Sequence, residues 1–532
     1  MVETRLRHVL PLALGALIAT GCGSAASAPG GGGGASAPPE HHTTDPGWWV
    51  PPPDPTPRAL PSAAPPAEPG VTAAPYPDVT FQDPGVNPFL DPAVDSQSTF
   101  AMDVDTASYS ITKRFLDDGY LPDPASVRTE EFVNAFDQGY PAPADGTFGV
   151  WVDGGPTPYV RDERYRLVRV GIRSRDVREA SRPDAALTFV IDTSGSMAQG
   201  RRLDIVKSSL GLLVDELLPT DRVGIVEYGT EAQVVLPPTS VRDASHILDA
   251  IGALQPGGST NAEAGLRVGY RMAHDTLLEG GVNRVVLLSD GVANVGTTDA
   301  EGILRDIRLD AAAGIQLVTV GVGMGNFNDV LMEQLADQGD GFYAYVNDPE
   351  DAEQLFSKDL TSTLLTVAEE ARVQVTWDPT LVERYRLLGF ENRAIADRDF
   401  ANDRVDAGEV GAGHSVTALY ELRLAPGLKA SDTLGEVRLR WREAGTRDVS
   451  ELRQAVRAGD LSSRWSDTRL QFLLAATVAA FAEILRESPW AADVRLRDVA
   501  DEARALAGAF EDDPQVTELA ELVDWADRIR GG

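Results

Sequence analysis

Cysteine is almost missing from this chain. Of 532 residues only Cys22 carries a thiol, so no internal disulfide can form. Histidine is nearly as scarce, at six residues, and none stands in the H-E-x-x-H spacing that holds a catalytic zinc. No G-x-S-x-G elbow appears, and Cys22 lies in the leader, which leaves no candidate catalytic thiol. Positive charge is the third shortage: 47 Lys plus Arg face 81 Asp plus Glu, a formal net charge of −34. Such a surface has little to set against phosphates, which excludes nucleic acid as a partner. It suits a soluble, self-repelling body, or one that works with cations. Long apolar runs are absent beyond the N-terminus. The uncharged stretch 470–482 has 13 residues, short of the roughly 20 that a membrane-spanning helix needs.

What is present begins with Arg5 and Arg7, the uncharged run VLPLALGALIA, and then Ala19-Thr20-Gly21-Cys22. That is a secretory layout, too short and wrongly flanked for a stable span. Its ending resembles the bacterial lipobox, with Ala19 where Leu is usual. The resemblance implies a signal peptide over 1–22, lipidation of Cys22 and, from Gly23 after the cysteine, an outer-membrane address. Acyl chains would anchor the protein with no spanning helix. Residues 23–97 read as a disordered tether, richest in Gly, Ala, Ser and Pro up to about residue 75, with GGGGG at 30–34 and PPPDPTP at 51–57. About fifty such residues would span roughly 40 Å. His41 and His42 fall inside it as solvated residues.

Composition turns globular at about Ser98. Residues 98–183 form an N-terminal α+β segment, in which TASYSITKRFLDDG and VRTEEFVNAF predict helices and RYRLVRVGIRS a strand. Over 184–364, strand-like runs (ALTFVI, RVGIVEYG, RVVLLSD, IQLVTVGVG, GFYAYV) alternate with helical patterns. That alternation predicts an α/β fold: a doubly wound, mostly parallel sheet with helices on both faces. Over 365–462 the period falls to two, as at Val373, Val375 and Trp377, or Val416, Ala418, Tyr420 and Leu422, which predicts antiparallel β structure with one buried face. Residues 463–532 predict helices, the first with an apolar stripe at Leu470, Leu473, Leu474, Val478, Phe481 and Leu485.

Two strands of the 184–364 region end in carboxylates. ALTFVI runs into Asp192-Thr193-Ser194-Gly195-Ser196, and VVLLSDG places Asp290 at a second strand end. Between them QPGGSTNAEAGL delivers Thr260 just before a helix. Ligands of open parallel sheets bind at the carboxyl ends of strands, where the strand order reverses. Hydroxyls with few carboxylates make a hard, oxygen-only donor set, suited to Mg²⁺ or Mn²⁺. Capping of the next helix accounts for Asp192 and Ser194 alone, but not for the other two loops.

D-x-S-G-S, then Thr in a G-G-S-T-N loop, then S-D-G resembles the metal-ion-dependent adhesion site of von Willebrand factor type A domains. The resemblance implies that Ser194, Ser196 and in some cases Thr260 touch the metal. It implies that Asp192 and Asp290 act mainly through water, and that an acidic side chain of a protein partner completes the shell. TFAMDVDTASYS, VRTEEFVNAFDQGYP, GFENR and DFANDRVDAGEVGAGHSVTALYEL are similar to bacterial von Willebrand factor A lipoproteins with extra segments on both sides. The expected function is metal-dependent protein–protein interaction at the cell envelope, without enzymatic activity. The alternatives are a metal-assisted hydrolase at the same edge and an architectural envelope protein whose metal is structural. GVGMG (321–325) lacks the last glycine of a dinucleotide loop and reads as a strand-end turn. DVDTAS (103–108) lacks the glycine and closing glutamate of a calcium loop and reads as structural. His246, His274 and His414 read as surface or core residues.

Overall fold

A computed structural model describes residues 76, 79, 81–102, 105–177, 182–291, 300–324, 328–359, 364, 366–402, 407–444, 446, 448–510 and 513–531. Cys22, the leader and the tether up to residue 75 lie outside the described residues. Strand β1 (Gln97–Ala101) comes first, then helices α1 (Ala107–Asp117) and α2 (Thr129–Asn134), then strands β2 (Phe148–Pro156) and β3 (Tyr165–Ser174).

The chain next enters a six-stranded sheet. It comprises β4 (Ala185–Asp192), β5 (Arg222–Tyr228), β6 (Ala232–Ser240), β7 (Val282–Ser289), β8 (Gln316–Val322) and β9 (Tyr343–Val346), in the order β6-β5-β4-β7-β8-β9. Only β6 runs antiparallel. Every residue of β4 is buried, as a strand covered on both faces requires, which is why its sequence is a continuous apolar run. One face is covered by α3 (Arg202–Glu216) and α4 (Ala244–Ala253). The other is covered by α5 (Ala262–Asp275), α6 (Ala300–Ala312) and α7 (Asp329–Gln338). The N-terminal segment lends α1 to this second face: Ala107, Ile111 and Phe115 join the cluster of Val190, Leu287 and Tyr343.

Beyond a short helix α8 (Pro349–Glu353) the chain forms β10 (Thr366–Trp377), β11 (Val382–Leu388), β12 (Glu409–Gly411), β13 (Ser415–Leu424), β14 (Thr433–Glu443) and β15 (Val449–Arg457). These strands do not form a sheet on their own. β1 adds to β10 in the order β1-β10-β14-β15, with β12 also on β10, while β2 and β3 complete β11-β13-β3-β2. The two antiparallel sheets share one core, in which Val168, Val170 and Ile172 meet Val373, Val375, Trp377, Tyr420 and Leu439. The parallel-sheet domain is therefore inserted between β3 and β10 of a β-sandwich. Hydrophobic period shows which face of a strand is buried but not which strand it pairs with, so segments 98–183 and 365–462 looked separate.

Three helices close the chain: α9 (Leu470–Leu485), α10 (Leu496–Ala509) and α11 (Pro514–Gly531). The expected stripe on α9 needs correction. Leu470 is exposed, and from Leu474 to Leu485 every residue of the helix is buried, Thr477 and Glu483 included. Its Ala-rich sequence lets α2, α10 and strands β2 and β3 approach from several sides. Among the described residues no helix is long and apolar enough to cross a membrane. Part of the expected tether also lies on the body. Leu90 exchanges backbone hydrogen bonds with Tyr385, and Phe89 packs edge-on against Trp490 at 5.1 Å between ring centroids.

Buried charge ties the inserted domain to its frame. Arg128, just before α2, meets Asp329 at 2.6 Å and Glu333 at 3.0 Å on α7. Lys113 of α1 meets Asp348, Asp351 and Glu518 within 3.1 Å. Asp105, from the DVDTAS run, accepts the Tyr343 amide at 3.0 Å and an Arg393 guanidinium N–H at 2.5 Å. That is a structural role linking β1–α1 to β9.

Candidate functional site

From β4 the chain moves to β5 and β6 on one side, then crosses to β7, β8 and β9 on the other. The order reverses between β4 and β7, so the carboxyl ends of these two neighbours flank the crevice where such sheets take ligands. Asp192 is the last residue of β4, and Asp290 follows β7 directly. Backbone hydrogen bonds clip three loops together at this edge. Thr193 N–H donates to Tyr228 C=O at 2.8 Å, Gly257 N–H to Thr193 C=O at 2.6 Å, and Gly195 N–H to Gly258 C=O at 3.1 Å. The contact needs glycine. A Cβ on Gly229 would stand 2.9 Å from the Gly257 carbonyl oxygen, and Gly258 has a φ of +86°.

The side chains form a connected set. Asp192 Oδ1 accepts the Ser194 amide at 2.8 Å, and Oδ2 accepts the Ser289 hydroxyl at 2.8 Å and the Tyr228 hydroxyl at 3.4 Å. Ser194 and Ser196 hydroxyl oxygens lie 3.0 Å apart, and Ser196 donates to Asp290 Oδ1 at 2.9 Å. Asp290 Oδ2 accepts from Arg202 Nη1 at 2.6 Å. The structure thus brings Asp192, Ser194, Ser196 and Asp290 together. Thr260 sits half-buried two residues beyond the clipped Gly258, and its hydroxyl is outside this hydrogen-bonded set among the described residues. Sequence reasoning assigned no role to Ser289, Tyr228 or Arg202. Ser289 was legible as the serine of S-D-G, whereas Tyr228 and Arg202 carry no motif.

Burial pushes the Asp192 carboxyl up to about 6, and the charge of Asp290 adds to the rise. Among the described residues its hydrogen-bond partners are neutral donors, the Ser194 amide and the Ser289 and Tyr228 hydroxyls. Among the described residues no three His, Cys, Asp or Glu side chains cluster as a metal site. A cation at this edge would meet two carboxylates and several hydroxyls, with water filling the shell. That donor set fits a hard ion such as Mg²⁺ or Mn²⁺ and suits no soft metal.

The von Willebrand factor type A domain family matches residues 186–358, and a family described simply as von Willebrand factor matches 76–169. Residues 362–529 match the family described as "Uncharacterized protein YfbK, C-terminal". The chain is 33% identical over 470 residues to the protein YfbK of Escherichia coli K12, covering 83% of this chain and 80% of that one. The chain belongs to the YfbK family. A second relative of this YfbK-family chain, sll0103 of Synechocystis, is 27% identical over 289 residues, covering 52% of this chain and 66% of that one. A solved von Willebrand factor type A structure from Catenulispora acidiphila is 18% identical with a TM-score of 0.40, covering 70% of this chain and 89% of that one. The A domain in this YfbK-family chain points to a protein–protein interaction or adhesion-type role.

Among the described residues no histidine joins the site's hydrogen bonds. His246 is exposed on α4, and His274 pairs with Asp310 at 2.6 Å on the surface. In the GVGMG stretch, Gly323 follows the last residue of β8 with a φ of +79°, and Gly325 lies outside the described residues.

Proposed function

We propose that this YfbK-family chain is a cell-envelope lipoprotein whose sheet edge binds Mg²⁺ or Mn²⁺ and uses it to hold an acidic side chain of a protein partner. The observation that carries the reading is the convergence of Asp192, Ser194, Ser196 and Asp290 at the switch point, all oxygen donors joined by hydrogen bonds. Ser194, Ser196 and Thr260 would offer hydroxyls, and Asp192 and Asp290 the charge. When bound, the ion supplies a positive centre for a carboxylate. The protein's part is to hold the donors in place, which the Gly195–Gly258 and Gly257–Thr193 clips do. A hydrolase reading finds less support, because the titratable neighbours of the site are Asp192, Asp290, Arg202 and Tyr228, with no histidine bonded to it among the described residues.

A ligand that binds only the folded state stabilises it by mass action, roughly 2.7 kcal/mol at a hundredfold excess over Kd. Mg²⁺ or Mn²⁺ should therefore raise the melting temperature of the wild type by several degrees. Asp192→Ala should abolish the rise, and an equal rise in that variant would place the ion elsewhere. The anchor is proposed at Cys22, with the residues before it removed so that the lipidated cysteine becomes the N-terminus, and the protein carried at the outer membrane on a long tether. A clickable palmitate analogue should label the wild type and leave Cys22→Ser unlabelled, and equal labelling would remove the anchor from the proposal.

A further inference from the structure

Arg202, the first residue of α3, is set against the metal edge and only 13% exposed in its side chain. Nη1 donates to Asp290 Oδ2 at 2.6 Å and to the Ser196 carbonyl at 3.3 Å. The two oxygens of Asp290 are thus divided. Oδ1 accepts the Ser196 hydroxyl and Oδ2 faces a fixed cation. The guanidinium is seated on the turn after β8, where a Cβ on Gly323 would collide with Arg202 Nε. Glycine at 323 therefore serves both its own positive φ and the room the arginine takes. Among the described residues Asp192 has no such cation as a hydrogen-bond partner.

We propose that Arg202 is a resident cation of the site, weakening its hold on a divalent ion while making the loaded site attract a carboxylate; this rests on the metal reading above. The argument is one of charge. Asp192 and Asp290 with Arg202 leave the site one negative charge, so a divalent ion turns it net positive by one. An incoming carboxylate then neutralises it. Without Arg202 the same ion would bring the site to neutrality, and a carboxylate would gain little at longer range. Arg202 therefore trades metal affinity for selectivity toward acidic partners. The competing idea is that Arg202 only braces Asp290, in which case its loss would loosen a donor and weaken metal binding.

The two ideas predict opposite signs. Free Mn²⁺ is counted by its electron paramagnetic resonance signal during titration of the full-length protein and of Arg202→Gln, Arg202→Met, Arg202→Lys and Asp192→Ala. Removing a unit charge a few ångströms away should tighten Mn²⁺ binding about tenfold in Arg202→Gln and Arg202→Met. Arg202→Lys, which keeps the charge, should stay within about twofold of the wild type. Acetate, as a carboxylate probe at constant ionic strength, should enhance Mn²⁺ retention more in the wild type than in Arg202→Gln. Metal-free melting curves matching the wild type show that each variant is folded, and the Gln and Met variants check one another. Unchanged or weaker Mn²⁺ binding in both neutral variants overturns the inference and leaves the metal site standing. Mn²⁺ binding by the wild type no tighter than by Asp192→Ala overturns the metal reading and this inference with it.

Discussion

Glu130 and Glu131 of α2 are buried carboxyls with opposite surroundings. Glu131 meets the Arg128 guanidinium at 3.2 Å and accepts the Ser108 amide at 2.8 Å. Glu130 Oε2 has no hydrogen-bond partner among the described residues. Burial pushes Glu130 up to about 7, and the carboxylate of Glu391 pushes the same way, while Arg486 opposes. Burial pushes Glu131 to about 7 too, with Arg128 opposing and Glu130 and Glu333 adding. Raised carboxyl values mean that the folded state holds more protons than the unfolded one between about pH 4.5 and 7. Stability from these groups is full below that window and is lost as pH rises through 7. Glu130→Gln mimics the protonated form and should match the wild type near pH 5. At pH 8 it should be more stable by on the order of 2 kcal/mol. Urea unfolding at both pH values measures the gap, and an equal difference at each would show that Glu130 does not titrate there. At this scale the sequence spoke clearly about motif residues and little about their neighbours. Asp192, Ser194, Ser196 and Asp290 could be named because oxygen donors at strand ends form a recognisable pattern. Arg202 and Tyr228 reach the site through the fold, from the start of α3 and the end of β5, and no spacing rule connects them to it.

Elements were legible in proportion to their periodicity. β4, β7 and β8 are apolar runs because helices cover both their faces, and the alternation of such runs with helices dictates a parallel sheet. β14 shows period two because one face meets the other sheet of the sandwich. β13, expected to have one buried face, is buried on both: Val416, Ala418, Tyr420 and Leu422 face the sandwich core, and Leu419 packs with Phe132 of α2 and Phe472 of α9. β6 gave no strand signal: Pro237 and Pro238 sit in it, which only an edge strand tolerates. β15 also lies at a sheet edge, with Glu451, Arg453 and Arg457 along it. Charged edge strands resist unwanted pairing and for that reason look unlike strands. Pairing across the insertion was invisible for a different reason. β3 ends at Ser174 and its neighbour β13 begins at Ser415, and nothing local to either strand encodes a partner so far along the chain. The inserted domain was readable alone because its own contacts are closer in sequence.

Across the whole molecule the charge balance and the proposed site pull against each other. The protein carries a formal charge of −34, and within 184–364 there are 11 Lys plus Arg against 27 Asp plus Glu. An acidic partner nearing this surface is repelled at a distance, yet attracted once its carboxylate reaches the ion. Salt weakens the first effect beyond a Debye length of about 8 Å, and direct coordination is screened far less. Raising salt from low to physiological levels should therefore speed association several-fold while dissociation stays nearly constant. Pairs of opposite charge do the reverse, because salt removes their steering. Partners captured from envelope extracts by the purified protein, with EDTA as a parallel control, provide the material, and stopped-flow mixing across a salt series gives both rates. Replacing the partner's contact carboxylate by alanine should remove binding as fully as EDTA does. Binding that weakens steeply with salt and ignores EDTA would make the contact an ordinary patch of opposite charge, with the Asp192–Asp290 edge outside it.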